Sequence, residues 1–595
     1  MAANNGTRLL NSATLTPVSA RQERLFLRAG EMFIYIYYEA IRGYFATGLI
    51  NESFIWFQSS WKSLAGVFSG LILTTLLFLV TMAIFIPLGQ YLGDIFNNSK
   101  QTILSYSLNV VASLIGMWTF NLLSFVNFSP FIGIIFVQIL ILSLISSKEK
   151  LKCLSILILT AFLILFNQFN DEKQNIWSPY QKLTLVALEK NDFMPDGYLL
   201  QVNNVGYMGL LDLSEEYKKE LTENLKSQKL PENFDILFEN QYDLPYIIRP
   251  ESKDVLIIGA GGGNDVAGAV RANMYSVDAV EIDPKIIDIG RQYHPENPYS
   301  QPNVRIINDD GRSFMKTTKN KYDIVIMGLA DSHTLTSSLT NLQLDNYLYT
   351  KESMEDIKKI LKDDGLLYIT FDVRRPWIGA RIQNTMNSVF GLKPYIFSMQ
   401  KDPTIFGWGG VVFVNRLISE DKNLTKFTQE RKIEYDLKAK ILSDDWPYLY
   451  LDKPRIPIIH LSIFFILFLT YIFINKSLSR KGHLRLDSFF LGAGFLLYEF
   501  QNISKSSLLY GNTWVTNLYT ISAILLLILL ANLISWKFSI PLKWSYIGLI
   551  TSFLLQLFIP LAALNLLPFV SKVVIGSLLL NLPLFFSGMT LLAAS

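Results

Sequence analysis

The run from Asp254 to Pro284, DVLIIGAGGGNDVAGAVRANMYSVDAVEIDP, admits very few folds. Val255 to Ile258 is a short apolar, β-branched run of the kind that forms a strand buried on both faces. Gly259, Gly261, Gly262 and Gly263 follow at once, then Val266 to Met274 reads as a helix and Val277 to Ile282 as a second strand ending at Glu281-Ile282-Asp283. Strand, glycine turn, helix, strand and terminal acid make the βαβ unit that binds a nucleoside. The glycines let the backbone turn sharply and approach the ligand, and an acid about 20 residues on accepts from the ribose hydroxyls.

The first helical turn narrows the ligand. A dinucleotide pyrophosphate sits on a helix N-terminus whose amides are bare. Here Asn264 and Asp265 occupy that turn, and a carboxylate there repels phosphate. An uncharged or cationic ligand, such as a sulfonium nucleoside, suits it. A third strand, Val304 to Ile307, leads into Asp309-Asp310-Gly311, an acid-glycine turn able to hold an adenine amino group. A fourth, Tyr322 to Met327, ends at Gly328-Leu329-Ala330-Asp331-Ser332-His333.

With these pieces in place the chain resembles the spermidine synthase (polyamine aminopropyltransferase) family, a branch of the class I methyltransferase-like fold. The matching pieces are Ser178-Pro179-Tyr180-Gln181, VLIIGAGGGND (255–265), VEIDP (280–284), NDDGRSF (308–314) and YDIVIM (322–327). It is most similar to the membrane-fused members, through LADSHT (329–334), DDWPYLYL (444–451) and a FLLGAGF-type helix at Phe490 to Phe495. The fold implied is an α-helical transmembrane bundle plus an α/β Rossmann-like domain of spermidine-synthase type with a small N-terminal β-region. The resemblance implies a transferase using decarboxylated S-adenosylmethionine or S-adenosylmethionine, without a metal. Glu281 would hold the ribose, Asp310 and Gly311 the adenine, and Gly259, Gly261, Gly262 and Gly263 the ligand through their backbone. Asp265 would hold the cationic tail, and Gln181 would line the mouth.

Composition agrees with a mixed protein. At 595 residues and 50% hydrophobic, with mean hydropathy +0.29, the chain is too apolar for an ordinary soluble enzyme and too charged for a pure membrane bundle. A net charge of +3 argues against nucleic acid as a partner. The single cysteine, Cys153, excludes disulfides within the chain and cysteine metal sites. Met1 to Gly30 is polar and arginine-bearing, so no cleavable signal peptide is expected.

Four regions follow: 1–65, 66–170, 171–455 and 456–595. In the first, Phe33 to Ile50 is aromatic and apolar but carries Glu39 and Arg42, which reads as an interfacial helix rather than a crossing. Spans are expected at Gly66 to Leu92, Ile103 to Val126, Pro130 to Ile145 and Leu151 to Phe169. In the third region Tyr180 to Leu211 alternates like a β-meander, and Leu213 to Lys229 is a charged helix. Beyond the core, Lys351 to Leu361 and Trp377 to Val389 read as helices, and Leu366 to Phe371 and Gly410 to Val414 as strands, in keeping with a doubly wound sheet. The aromatics of Asp444-Asp445-Trp446-Pro447-Tyr448-Leu449-Tyr450 read as an interfacial belt, with the two aspartates over the site as the alternative. Five more spans are expected: Ile456 to Ile474, Leu486 to Tyr510, Asn517 to Trp536, Trp544 to Leu567 and Phe569 to Leu592. Fused relatives tend to continue past this point, so a further C-terminal segment is expected. Glu499 and Lys505 read as a structural pair facing the bundle, with a substrate path as the alternative.

Loop charge and chemistry point to opposite sides of the bilayer. Lys148, Lys150, Lys152, Lys476, Arg480, Lys481, Arg485, Lys537 and Lys543 fall opposite the α/β domain, whereas the turns around Asn127 and Gly511 to Thr513 carry no Lys or Arg. The positive-inside rule then puts the domain outside. Sulfonium nucleosides, however, are made and used in the cytosol.

Measured against the family it resembles, the acceptor side is thinned. The turn after the fourth strand has Gly328 where the family has its general base, and only the second acid, Asp331, survives. The acid of the glycine turn falls on Asn264, and the Tyr-His-Glu stretch appears as Leu237-Phe238-Glu239. Asp331 with His333 can supply a replacement base, and a local turn is the alternative. The expectation is therefore a membrane-embedded transferase acting on a small amine or a membrane-proximal acceptor. A methyltransferase and a non-catalytic nucleoside- or polyamine-binding or transport protein stay open, as does self-association.

Overall fold

The computed structural model describes residues 64–128, 130–144, 174–188, 197–203, 205–227, 240–330, 335–337, 342–373, 375–399, 410–416, 431–436, 438–451, 458–478, 486–538, 540–565 and 567–594, with a few isolated positions besides. The expected interfacial helix at 33–50, the span at 151–169, Cys153, Asp331 and His333 lie outside the described residues.

Among the described residues three apolar helices come first: α1 (Leu64–Asn98), α2 (Thr102–Phe125) and α3 (Pro130–Leu144). A four-stranded antiparallel meander follows, β1 (Gln174–Trp177), β2 (Lys182–Leu188), β3 (Gly197–Val202) and β4 (Val205–Leu210). Helices α4 (Glu215–Ser227) and α5 (Leu244–Ile248) lead to β5 (Asp254–Ile258), α6 (Asn264–Arg271), β6 (Ser276–Glu281), α7 (Pro284–Tyr293), β7 (Val304–Asn308), α8 (Gly311–Thr317) and β8 (Tyr322–Gly328). A short hairpin, β9 (Leu335–Ser337) and β10 (Leu342–Gln343), precedes α9 (Lys351–Ile360), β11 (Leu361–Phe371), α10 (Pro376–Phe390), β12 (Tyr395–Ser398) and β13 (Val411–Arg416). The chain closes with α11 (Ile458–Leu478), α12 (Leu486–Tyr510), α13 (Trp514–Lys537), α14 (Leu542–Phe558), α15 (Leu561–Leu564) and α16 (Phe569–Ala594).

The chain divides into two compact units, one of residues 1–108, 128–171 and 456–483, the other of 109–127, 172–455 and 484–595. Within the first, α1 packs on α11. The second holds a seven-stranded sheet of order β12-β13-β11-β8-β5-β6-β7, in which only β13 is reversed: it runs antiparallel to its neighbours β11 and β12, and the other six strands share one direction. The β-branched runs explain the burial: Val255, Ile257, Ile324 and Ile326 are wholly inaccessible at the sheet centre. Each contributes roughly 1.5–3 kcal/mol by leaving water. From β5 the chain winds outward through β6 to β7, then returns to place β8 on the other side of β5. That reversal opens a crevice at the carboxyl ends of the strands, where α/β sheets bind ligands.

Strand β12 has no counterpart in the sequence reading, since four residues are too few to show a period. The 444–450 segment also departs from the reading as an interfacial belt. Trp446 lies 4.9 Å from the guanidinium of Arg381, and Leu449 is inaccessible. Buried Arg381 donates to the carbonyls of Lys440 (3.1 Å) and Leu449 (2.6 Å). These aromatics pack inside the α/β domain because Arg381, with five donors in a fixed plane, needs carbonyls and a ring face once it leaves water.

Among the described residues four helices are long and apolar enough to cross a membrane: 75–98, 102–125, 514–537 and 569–590. Helix α14, with 17 residues, is shorter than the expected span, and α12 carries Asp487, Glu499 and Lys505. No ion pair joins Glu499 to Lys505 among the described residues. Residues six apart lie on different helix faces. Pro583 sits inside α16 and cannot donate to the preceding turn. Gln556 Nε2 reaches the carbonyls of Leu579 (2.7 Å) and Leu580 (3.0 Å) instead, joined at Leu580 by Tyr498 Oη (2.9 Å) and Asn502 Nδ2 (2.8 Å). The polarity around Asn502 thus satisfies backbone groups that no water in an apolar bundle would reach.

Candidate functional site

The glycine turn after β5 is shaped by its neighbours. Gly259 has φ +71, a conformation that L side chains rarely adopt, and a Cβ there would lie 2.9 Å from Ala330 Cβ. At Gly262 a Cβ would overlap the Leu210 side chain of β4. The Gly262 amide faces Met208 Sδ (3.2 Å), and the carbonyl of Gly261 accepts from Tyr299 Oη (2.6 Å). One side of the turn is thus packed against the meander and the 3₁₀ turn at Pro298–Ser300, and the other, at Gly259, faces a cavity.

Glu281 ends β6 and is 4% exposed. Its Oε2 accepts from the Gly261 amide (2.8 Å) and its Oε1 from the Asp283 amide (2.9 Å). Burial pushes its pKa up to about 7, although those two amides favour the charged form. Asp283 caps α7 through the Lys285 amide (2.9 Å) and accepts from Gln181 Nε2 (3.2 Å); burial raises its pKa too. Asp310 caps α8 through the Ser313 amide (2.8 Å), and Asp309 precedes it; burial raises both. Asp345 is 1% exposed and accepts from Tyr450 Oη (2.6 Å).

These groups meet around one cavity of about 70 Å³, lined on one side by Tyr180, Gln181 and Tyr207 and on the other by Leu344, Asp345 and Leu348. Of the sequence-predicted residues, Gln181, Gly259, Glu281, Asp310 and Gly311 line it. Gly261, Gly262 and Gly263 shape the turn behind it. Asp265 lies in the first turn of α6, 5% exposed, with its pKa pushed up to about 7 by burial. Asp283, Asp309 and Asp345 also face the cavity. Asp283 stood in the sequence only at the end of the second strand, with no role assigned, and Asp345 carries no sequence signal because it arrives from a segment far beyond Glu281 in the chain.

Asn264, where the family resemblance expects an acid, is a structural tie. Its Nδ2 donates to the Gly209 carbonyl (2.7 Å), and its Oδ1 meets His294 Nε2 (3.1 Å). His294 Nδ1 accepts from the Glu296 amide (3.2 Å), so the ring is neutral with its proton on Nε2, and burial holds its pKa down at about 3. A larger hollow of about 540 Å³ lies behind α6, but Lys218 and Arg271 in its wall are already paired with Asp243. The carboxylate-lined cavity at the strand ends is the better candidate, because its acids face open space rather than bases.

Residues 239–400 match the spermine/spermidine synthase domain family. The polyamine aminopropyltransferase of Alkaliphilus oremlandii is 34% identical over 127 residues, 21% of this chain and 42% of that protein. The polyamine aminopropyltransferase of Methanocaldococcus jannaschii is 27% identical over 204 residues, 34% of this chain and 66% of that one. The crystal structure of spermidine synthase from Thermotoga maritima matches 49% of this chain and 87% of its own, at 16% identity and a TM-score of 0.31. The chain spans less than half the length of the first of these relatives. The resemblance read from the motifs therefore holds over 239–400, the stretch that carries the glycine turn, Glu281 and Asp310.

Proposed function

We propose that the domain at 171–455 binds a cationic adenine nucleoside and transfers an aminopropyl group from its sulfonium to an amine, in a chain held in a lipid bilayer by its apolar helices. One observation carries this reading: Glu281, Asp283, Asp309, Asp310 and Asp345 converge on a single cavity at the crevice of the sheet. Like charges crowded in a buried space raise one another's pKa, and a cation relieves that cost. The donor set thus fits decarboxylated S-adenosylmethionine, with Glu281 for the ribose hydroxyls and Asp310 for the adenine amino group. At about 70 Å³ the cavity is far smaller than the roughly 300–1,000 Å³ of a small-molecule site. A nucleoside therefore enters only when the wall of Tyr180 and Leu344 to Leu348 moves outward.

A sulfonium supplies a carbon activated for displacement. The amine nitrogen forms a new C–N bond, the C–S bond breaks, and its electron pair stays on sulfur, releasing a neutral thioether nucleoside. The ammonium proton must go to a base. Asp331 and His333 follow β8 in the chain and are assigned that role. Asp265 supplies negative charge for the cationic tail. The wall residues exclude water and hold the reacting atoms in line.

The test is calorimetry of the full chain in detergent with decarboxylated S-adenosylmethionine and with S-adenosylmethionine, followed by mass spectrometry after adding putrescine. Aminopropylated amine with 5′-methylthioadenosine supports the proposal. Methylated product makes the protein a methyltransferase, binding without turnover makes it a carrier, and no binding to either nucleoside overturns the reading. A reporter fused after residue 455 fixes the side of the bilayer, on which loop charge and co-substrate supply disagree.

A further inference from the structure

The turn joining helices α12 and α13 packs against residues that line the cavity. Gly511 there has φ +90, and a Cβ on it would lie 3.1 Å from Asp310 Cβ and 3.4 Å from Ser313 Cβ. Asn512 is 4% exposed and donates through Nδ2 to the Leu344 carbonyl (3.1 Å). Burial raises the pKa of both Asp310 and Tyr180, and the backbone N–H groups of Asn512 and Trp514 oppose it by favouring the ionised forms of Asp310 and Tyr180 respectively. Just before the turn, Lys316 Nζ of α8 donates to the Leu508 carbonyl at the end of α12 (3.2 Å), where a cation suits the negative end of the helix dipole. The turn is itself fastened, since Thr516 Oγ1 donates to the Gly511 carbonyl (2.7 Å). Tyr180, Asp310 and Leu344 come from three separate segments, all line the cavity, and all meet this one turn.

We propose that Gly511 to Trp514 buttresses the wall of the nucleoside cavity from behind and that Asn512 is a positioning residue, tying Asp310 to the Leu344 cover. The proposal rests on reading the cavity as a nucleoside site. A buried amide bonded to a carbonyl of the cover must move with that cover or release it when the cavity widens. Nucleoside binding is thereby coupled to the α12–α13 helix pair, and the adenine-facing acid is held by a segment outside the α/β sheet. Gly511 is required because any side chain would press on Asp310.

The full chain in detergent tests this with 5′-methylthioadenosine as binding probe and decarboxylated S-adenosylmethionine as co-substrate. Asn512→Ala is expected to weaken probe binding and raise the co-substrate KM at least tenfold, with the amine KM held within twofold. Asn512→Gln, which keeps the amide donor, should recover most of that loss. Equal binding by unaltered protein and Asn512→Ala overturns the buttress assignment alone, whereas no binding by the unaltered protein takes the nucleoside reading down with it. Should the variants fail to fold, hydrogen exchange on the unaltered chain decides. Saturating probe should slow the amides of 344–348 and 511–514 together, and a response confined to 344–348 rejects the proposal.

Discussion

Gly328 and Asp265 compete for one space: a Cβ on Gly328, at the end of β8, would overlap the Asp265 carboxylate rising from the first turn of α6. The family resemblance expects an acid at 328 and the acid of the glycine turn at 264, one position before Asp265. The geometry shows why the two features go together, since a carboxylate at one position excludes any side chain at the other. Negative charge is kept beside the strand ends but delivered from a helix instead of a strand.

Gly328→Ala should therefore displace Asp265 and, as an overpacked site, destabilise the fold by about 1–3 kcal/mol. Gly328→Asp combined with Asp265→Ala moves the carboxylate back across. The pair should lose less activity than the two single changes added together, with a coupling of about 0.5–3 kcal/mol in a double-mutant cycle. Strict additivity in kcat/KM means the two positions do not share a carboxylate role.

Asp265 and Glu281 also predict a pH signature. Their folded pKa values, both about 7, lie above the unfolded ones, so the folded chain holds extra protons between about pH 4 and pH 7. Stability from these groups is present below that window, falls as pH rises through it, and levels off above about 7. Each tenfold difference in proton affinity between the folded and unfolded chain is worth about 1.4 kcal/mol per group. Asp265→Asn should flatten part of this fall, raising Tm relative to the unaltered protein at pH 8 and changing it little at pH 4. Parallel Tm profiles at both pH values would contradict a protonated Asp265.

A cation entering the cavity favours the ionised acids, so binding should release protons. Titrations at pH 6.5 in buffers of different ionisation enthalpy should give enthalpies that vary with the buffer, in the direction of release. Glu281→Gln should shrink that release. It should also weaken nucleoside binding about 10- to 100-fold, as expected for charged hydrogen bonds of about 1.5–3 kcal/mol.

Gly262→Ala drives a methyl group into Leu210 and presses the meander away from the glycine turn. A loss of about 1–3 kcal/mol in chemical denaturation is expected. Leu210→Ala in the same chain should relieve part of it, because the obstructing atoms are that side chain's.

Asp444 accepts from Thr350 Oγ1 (2.7 Å) and Arg312 Nη2 (3.3 Å). Asp444→Ala leaves buried Arg312 with Asp356 (3.3 Å) as its remaining acidic partner and should cost about 1.5–3 kcal/mol, the worth of a hydrogen bond to a charged group. The 440–451 segment should then become protease-sensitive before the rest of the domain, as limited proteolysis would show.

The order of elements from β5 to β11 was legible because buried parallel strands must be apolar runs, glycine must fill the tight turn, and an acid at a strand end sits where a ligand or a bare helix amide can take it. Glu281 and Asp310 follow from those local rules. The meander and the helix at 215–227 were legible for the same reason, since period and charge are local. The belt reading of 444–450 failed because aromatics beside an apolar run look alike whether they face a membrane or a buried arginine such as Arg381.

By itself the sequence determined that a βαβ unit with a nucleoside-type turn lies between apolar helices, since chain neighbours and periodicity suffice for that. Only the tertiary structure decided which acids share a cavity, that Gly261 to Gly263 face protein, that Asp265 takes the space beside Gly328, and that Asn512 bonds to the Leu344 carbonyl. Each of these is a contact between segments far apart in the chain, set by packing that no single stretch of residues encodes.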